Sequence, residues 1–284
     1  MINLFSIHTG NFHLDGGAMF GVVPKIIWEK QVAANEKNLC NWAMRCLLVE
    51  NTSNNRRILI DTGIGSKQSE KFFGYYDLNG DYSLMNSIQI AGFSPEDITD
   101  VLLTHLHFDH VGGAVNRVDN QLIPAFPNAK YWVNEDHWNH AHNSNPREKA
   151  SFLNENFDAL LEHGVLHFIH EEEILADCIE INVFNGHTIG MIVPIVNNGS
   201  HKIAFAADLI PSAAHIPVNY VMGYDIQPLV TMKEKSQFLN RVVEENILLF
   251  YEHDFYTELS TVVRNDKGLF VKGIEMNINM LKGF

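Results

Sequence analysis

The sequence predicts an α/β fold. Short apolar, β-branched runs alternate along it with amphipathic stretches whose apolar residues recur at helical spacing. The 284 residues are 46% hydrophobic, enough for one large buried core, and no Pro/Gly/Ser-rich linker divides them, so 1–284 reads as a single domain.

Taken in chain order, the first distinctive segment is Met19-Phe20-Gly21-Val22-Val23-Pro24 followed by Ile26-Ile27-Trp28. Glycine and proline punctuate it, so it reads as loop rather than strand. Three uses are open: a pocket wall built from Met19, Phe20, Val22 and Trp28, core packing, or a face between two copies of the chain. Residues 57–60 read as a strand that ends in Asp61-Thr62-Gly63. Asp61 could orient a metal-bound histidine or cap the turn by accepting backbone N–H bonds, and Thr104 carries the same two readings. Ser94-Pro95-Glu96-Asp97 is a helix start, with Ser94 as N-cap and Pro95 at the first helical position.

Val101-Leu102-Leu103 is an apolar β-like run, and directly after it comes Thr104-His105-Leu106-His107-Phe108-Asp109-His110. Three imidazoles and a carboxylate within six residues are a density suited to metal rather than to a core. His105 and His107, two apart, face one side of an extended segment, whereas Asp109 and His110 follow once the chain turns toward Gly112-Gly113. One loop can thereby serve two adjacent ions. His137, His140 and His142 resemble a further set, but they lie in a polar stretch and read as a solvated helix end or loop. A helix is expected over 150–163, stopped by Gly164, and another over 233–245. Between and beyond these, a run over 179–184 ends at Gly186-His187-Thr188, a run over 203–207 at Asp208, and a run over 247–252 at His253. Four strands each ending in a possible ligand are far harder to explain as coincidence than as one shared site. Imidazole with carboxylate oxygen suits zinc or another borderline divalent ion.

These residues resemble the metallo-β-lactamase superfamily, whose H-x-H-x-D-H signature reads here as His105, His107, Asp109 and His110. Asp61-Thr62-Gly63, Gly186-His187-Thr188, Ala207-Asp208 and Glu252-His253-Asp254 match its other motifs in order. Residues 15–25 and 208–217 resemble the branch that holds quorum-quenching lactonases and methyl-parathion-type hydrolases, so the similarity spans nearly the whole chain. One departure is Ile189 and Met191, where relatives usually carry proline and a second histidine; neither position ligates metal in the family. The resemblance implies an αβ/βα sandwich, two packed mixed β-sheets with helices on the outer faces and the metal loops along one edge. It implies two divalent metal ions, zinc in type. His105, His107 and His187 would hold one, Asp109, His110 and His253 the other, with Asp208 and a hydroxide between them. Asp109 and Asp208 become the catalytic carboxylates, Asp109 moving the nucleophile's proton to the leaving group.

Two dications against two carboxylates and a hydroxide leave about one positive charge, which favours substrates that develop negative charge on oxygen. No Gly-x-Ser-x-Gly elbow is present, in keeping with a metal-activated nucleophile. His215, Tyr220 and Tyr224 follow Asp208 and could each donate to the oxyanion, although Pro211 occupies the place where some lactonases keep a tyrosine. The expected reaction is hydrolysis of an N-acyl-homoserine-type lactone. The alternatives are phosphotriester or aryl-ester hydrolysis, glyoxalase-like thioester hydrolysis, and an iron-dependent redox reaction on the same fold. The net charge of −14 repels phosphate backbones, so a nucleic-acid partner is not expected. Three cysteines without metal spacing suggest reduced thiols, and neither an export signal nor a membrane-spanning run is seen, which places the expected enzyme in the cytoplasm, as a possible homodimer.

Overall fold

The computed structural model describes residues 1–281 and contains two β-sheets packed face to face. The first has six strands in the order Ile2–Asp15, Leu39–Asn51, Arg56–Ile60, Asp100–Leu102, Lys130–Asn134 and Leu166–Ile169. Its first three strands are antiparallel neighbours and the rest add in parallel, so the sheet is mixed. The second has seven strands in the order Phe270–Met276, Leu259–Arg264, Leu248–Phe250, Lys202–Phe205, Met191–Asn197, Ile179–Phe184 and Ile174–Leu175. Only Lys202–Phe205 and Leu248–Phe250 run parallel in it.

Alternation along the strands builds two cores from one sheet. Leu47, Val49, Ile58, Ile60 and Leu102 point into the space between the sheets and meet Ile181, Val193, Ile195 and Phe205 of the other. Cys46, Leu48, Leu59 and Val101, one residue out of phase, face the opposite way and pack with Ile88, Trp138 and Leu160 from the helices Leu84–Ile90, Glu135–His142 and Asp158–Glu162. A one-residue slip of any of these strands would exchange the two faces. Cys40, Cys46 and Cys178 are buried and form no disulfide. Among the described residues no helix is long and apolar enough to cross a membrane.

Several expectations from the pattern need correcting. The helix expected over 150–163 is three short pieces, 3-10 turns at Lys149–Ser151 and Asn154–Asn156 and the α-helix Asp158–Glu162. Its spacing of apolar residues is helical, but Phe152 is drawn in against the His107 ring, 4.9 Å between centroids, and the backbone of these two residues forms an isolated bridge. Tertiary contact thus outweighs local periodicity. The helix expected over 233–245 begins earlier, at Pro228, and runs to Glu244. The start at Ser94 leads only to one 3-10 turn, Pro95–Asp97, in which the Asp97 carboxylate accepts from the Ser94 backbone N–H and hydroxyl. The segment 19–28, expected as loop rather than strand, is irregular only at 21–24: its ends belong to the short helices Gly16–Phe20, capped by Asp15, and Lys25–Trp28. Of the histidines of Glu135–His142, His140 and His142 do lie in the last turn of the helix, with His142 exposed, but His137 is fully buried and not solvated.

Candidate metal centre

The loops that follow Asp100–Leu102, Ile179–Phe184, Lys202–Phe205 and Leu248–Phe250 meet at one edge of the sandwich. Each expected ligand is buried there, and the seven fall into two groups: His105, His107, His187 and Asp208 in one, Asp109, His110 and His253 in the other. Within the first, His105 Nε2 and His187 Nε2 stand 3.1 and 3.2 Å from His107 Nδ1. In the second, His253 Nε2 lies 3.2 Å from His110 Nε2, and Asp109 Oδ2 is 3.7 and 3.8 Å from those two nitrogens. Asp208 links the groups. Its Oδ2 is 3.1 Å from His187 Nε2 and its Oδ1 3.2 Å from His253 Nε2.

The far side of each ring is anchored, which aims the near side. His187 Nδ1 donates to Asp225 Oδ1 at 2.8 Å, and His253 Nδ1 to the Ala43 carbonyl at 2.8 Å. His105 Nδ1 meets the Thr104 hydroxyl at 3.1 Å. His110 Nδ1 faces Asp61 Oδ2 and Glu252 Oε2, both at 3.0 Å. Asp61, at φ 58°, also accepts from the Thr104 backbone N–H at 2.8 Å and its hydroxyl at 2.6 Å. It therefore both holds a histidine of the cluster and pins the turn. His107 is reversed: Nδ1 enters the cluster, while Nε2 has no hydrogen-bond partner and points toward Glu148 Oε2, 3.8 Å away.

The electrostatics show what such a cluster wants at its centre. Burial, reinforced by the neighbouring imidazoles, holds His105 well below the ordinary histidine range. Burial acts the same way on His187 and His253, but carboxylates, Asp208 foremost, overcome it and raise them to about 10 and about 9. The surrounding imidazoles in turn hold Asp208 well below the carboxylate range despite its burial. Burial pushes Glu252 up to about 8 against the pull of His110. Five ring nitrogens converge around carboxylates in a dry site, and protons are an awkward way to supply the positive charge that Asp208 demands. Divalent cations fit better: the donor set is nitrogen and oxygen, four of the five rings are oriented by their outer polar contacts, and Asp208 Oδ1 is buried with a histidine nitrogen nearby but no aligned hydrogen bond.

Two further features support the cluster, of which only the glycine turn was visible in the sequence. His137 Nε2 accepts the Leu106 N–H at 2.8 Å and Nδ1 donates to the Ile189 carbonyl at 2.6 Å, so it is a neutral strut under the His105–His107 segment. Burial holds it down to about 3. The glycine turn after His110 presses on the backbone beyond Ile60: a Cβ at Gly112 would lie 2.0 Å from the Ile64 carbonyl oxygen.

Above the cluster opens a cavity of about 390 Å³. Asp109, Asp208, His107, His187 and His253 line its floor, and Phe12, Leu14, Met19, Tyr76, Phe108 and Met222 line its walls. Of the residues expected in a pocket, Met19 and Tyr224 do line it. Val22 does not, being 94% exposed to solvent. Trp28, Phe20 and His215 form a stack of parallel rings behind the wall, with centroids 5.1 and 4.6 Å apart. His215 there donates Nε2–H to the Met19 carbonyl and takes the Ser212 hydroxyl on Nδ1, which removes it as an oxyanion donor. Tyr220 packs edge-on against Phe20, and its carbonyl accepts from the buried Lys235. Phe12, Tyr76, Arg147, Glu148 and Asp225 escaped the sequence reading because each is distant in the chain from the motifs it serves. Phe108 was legible in principle, as it sits inside the histidine motif.

The family model described as metallo-beta-lactamase superfamily matches residues 45–242. Among solved structures, a probable metal-dependent hydrolase from Staphylococcus aureus is 26% identical with a TM-score of 0.85, over 97% of this chain and 98% of that one. AidC, a dizinc quorum-quenching lactonase solved with a product, is 23% identical with a TM-score of 0.79, over 97% and 95% of the two chains. AbOPH, a hydrolase in the beta-lactamase superfamily, is 19% identical with a TM-score of 0.79, over 95% and 93%. The likeness to AidC and AbOPH is one of fold. No curated protein matches the sequence.

Proposed function

This chain belongs to the metallo-beta-lactamase superfamily and is a metal-dependent hydrolase, and we propose that it opens lactones or esters, N-acyl-homoserine-type lactones foremost, with two zinc ions as cofactors. The observation that carries this reading is Asp208: a single carboxylate shared by two histidine groups at the floor of an apolar cavity. His105, His107 and His187 would hold one ion, Asp109, His110 and His253 the other, and Asp208 would touch both. Bound there, the ions supply Lewis acidity to the carbonyl oxygen and make water a nucleophile near neutral pH. Three imidazoles in one group, with carboxylate oxygen alongside, favour zinc over harder cations.

The protein's own residues then do the rest. Asp109 faces the cavity floor and takes the proton released by the attacking water, then returns it to the leaving alkoxide. Phe12, Leu14, Met19, Phe108 and Met222 accept an acyl arm and exclude bulk water from the carbonyl. The dizinc lactonase AidC shares this fold and is a precedent for the substrate class.

Metal analysis joined to a panel of acyl lactones, aryl esters, phosphotriesters and thioesters tests the reading. Lactones should lead, zinc should bind at two equivalents, and Asp208→Asn should lower turnover by at least about a hundredfold while reducing the bound metal. A strong preference for thioesters, or iron-dependent oxygen consumption, would overturn it.

A further inference from the structure

Arg147 is the cation at the mouth of this cavity. It lies between Asn145, which caps its backbone N–H, and Glu148, a buried residue that lines the same cavity. Its guanidinium crosses the opening and donates Nη2–H to the Gly223 carbonyl. Gly223 is itself held in place, its N–H donating to the Ala18 carbonyl at 2.7 Å, and an added Cβ there would lie 3.0 Å from that oxygen. The guanidinium is therefore seated on a rigid acceptor, while most of its five donors remain free for a ligand.

Its charge is also unmatched. Arg56, Arg57, Arg117 and Arg241 each pair with a carboxylate, Arg45 is buried against the Tyr251 and Asp254 carbonyls, and Arg264 donates to the Gly268 carbonyl and lies over the Phe270 ring. Arg147 has no carboxylate within 4.0 Å among the described residues. In a chain of net charge −14, Arg147 is the one arginine or lysine among the described residues that line this cavity, and its exposed guanidinium is held by no carboxylate, so it is placed to meet an anionic group that enters.

We propose that Arg147 determines specificity, selecting substrates whose acyl arm carries an anionic oxygen acceptor, a carboxylate in the strongest case, at the end remote from the scissile bond. The inference rests on the hydrolytic reading of the site. The scissile carbonyl lies at the histidine floor, the arm follows Phe108 and Met222, and its distal carboxylate meets the two-pronged guanidinium at the rim. Preorganisation by Gly223 limits the ordering cost of that contact.

The test compares matched arms on the metal-loaded enzyme. Lactones and 4-nitrophenyl esters are prepared with linear arms of equal length that end in methyl or in carboxylate. The ratio of kcat/KM for the carboxylate arm over the methyl arm should fall by about fivefold in Arg147→Gln, be partly restored in Arg147→Lys, and decline in the wild type as salt is raised. The change should lie mainly in KM. Calorimetry with linear monoacids and diacids of equal length supplies a readout without turnover, and the wild type should favour the diacid. A ratio equal in wild type and Arg147→Gln, or a wild type that binds monoacid as well as diacid, would overturn the assignment. Failure of the lactones alone, with the arm preference intact on aryl esters and diacids, would sink the lactone reading and leave Arg147 in its role.

Discussion

Asp225 offers the sharpest test of how the cluster is held, because its single hydrogen bond to His187 has two opposite effects on metal binding. The carboxylate at 2.8 Å fixes the ring and keeps the proton on Nδ1, which leaves Nε2 as the donor facing the cluster. Losing that anchor in Asp225→Ala should weaken metal affinity by about 10- to 100-fold. The same carboxylate helps Asp208 raise His187 to about 10, so at pH 7, about three units below that value, metal must displace a proton from the ring, a penalty on the order of a thousandfold. Removing Asp225 lowers that pKa and relieves part of the penalty. The two effects separate with pH: near pH 9.5 little proton competition remains and the variant shows nearly its full loss, whereas toward pH 6.5 the loss shrinks. Asp225→Asn, which can still accept Nδ1–H through its amide oxygen, should bind metal better than Asp225→Ala at high pH. Competition with a chelator across this range, with metal content measured at each point, reads the affinities directly. An affinity loss in Asp225→Ala that is constant with pH, or no loss at all, would refute this account.

Two further outcomes concern the frame around the site. His137→Ala orphans the Leu106 N–H and the Ile189 carbonyl in a fully buried place and should cost about 3 kcal/mol or more in urea unfolding of the metal-free protein. Because burial lowers His137 to about 3 in the fold, the unfolded chain binds the extra proton between about 6.5 and 3. The wild type should therefore lose up to about 1.4 kcal/mol per pH unit from this group as pH falls through that window, a slope the variant lacks; equal slopes would contradict it. Gly112→Ala would place its Cβ 2.0 Å from the Ile64 carbonyl oxygen and push the turn that carries Asp109 and His110. We expect a loss of at least about 2 kcal/mol and a lower metal content, read by thermal unfolding and metal analysis, and a wild-type profile would show that the turn can yield.

The ligand types were legible in the sequence because metal chemistry is written in residue identity. Imidazoles and carboxylates crowded after apolar runs have few other uses, and the strands ending near His105, His187, Asp208 and His253 are close to where the patterning put them. Alternation likewise revealed strands and, through the family motifs, the layered fold. Aperiodic features were not legible. The break of 150–163 into short turns, the burial of His137 and the position of Val22 depend on which surface each segment meets, and a single segment's pattern holds no record of its partner.

The sequence by itself therefore determined the donor atoms and the α/β class, which depend on local chemistry and on a two- or 3.6-residue repeat, and its resemblance to the superfamily added the sandwich layering and the hydrolytic reaction class. Tertiary structure alone decided the rest: that Asp208 is shared between the two histidine groups, that Asp225, Asp61 and Glu252 brace the rings from behind, and that Arg147 crosses the cavity mouth to Gly223. Those contacts join residues tens to hundreds of positions apart, and their geometry exists only after the two sheets have packed and brought the loop ends to one edge.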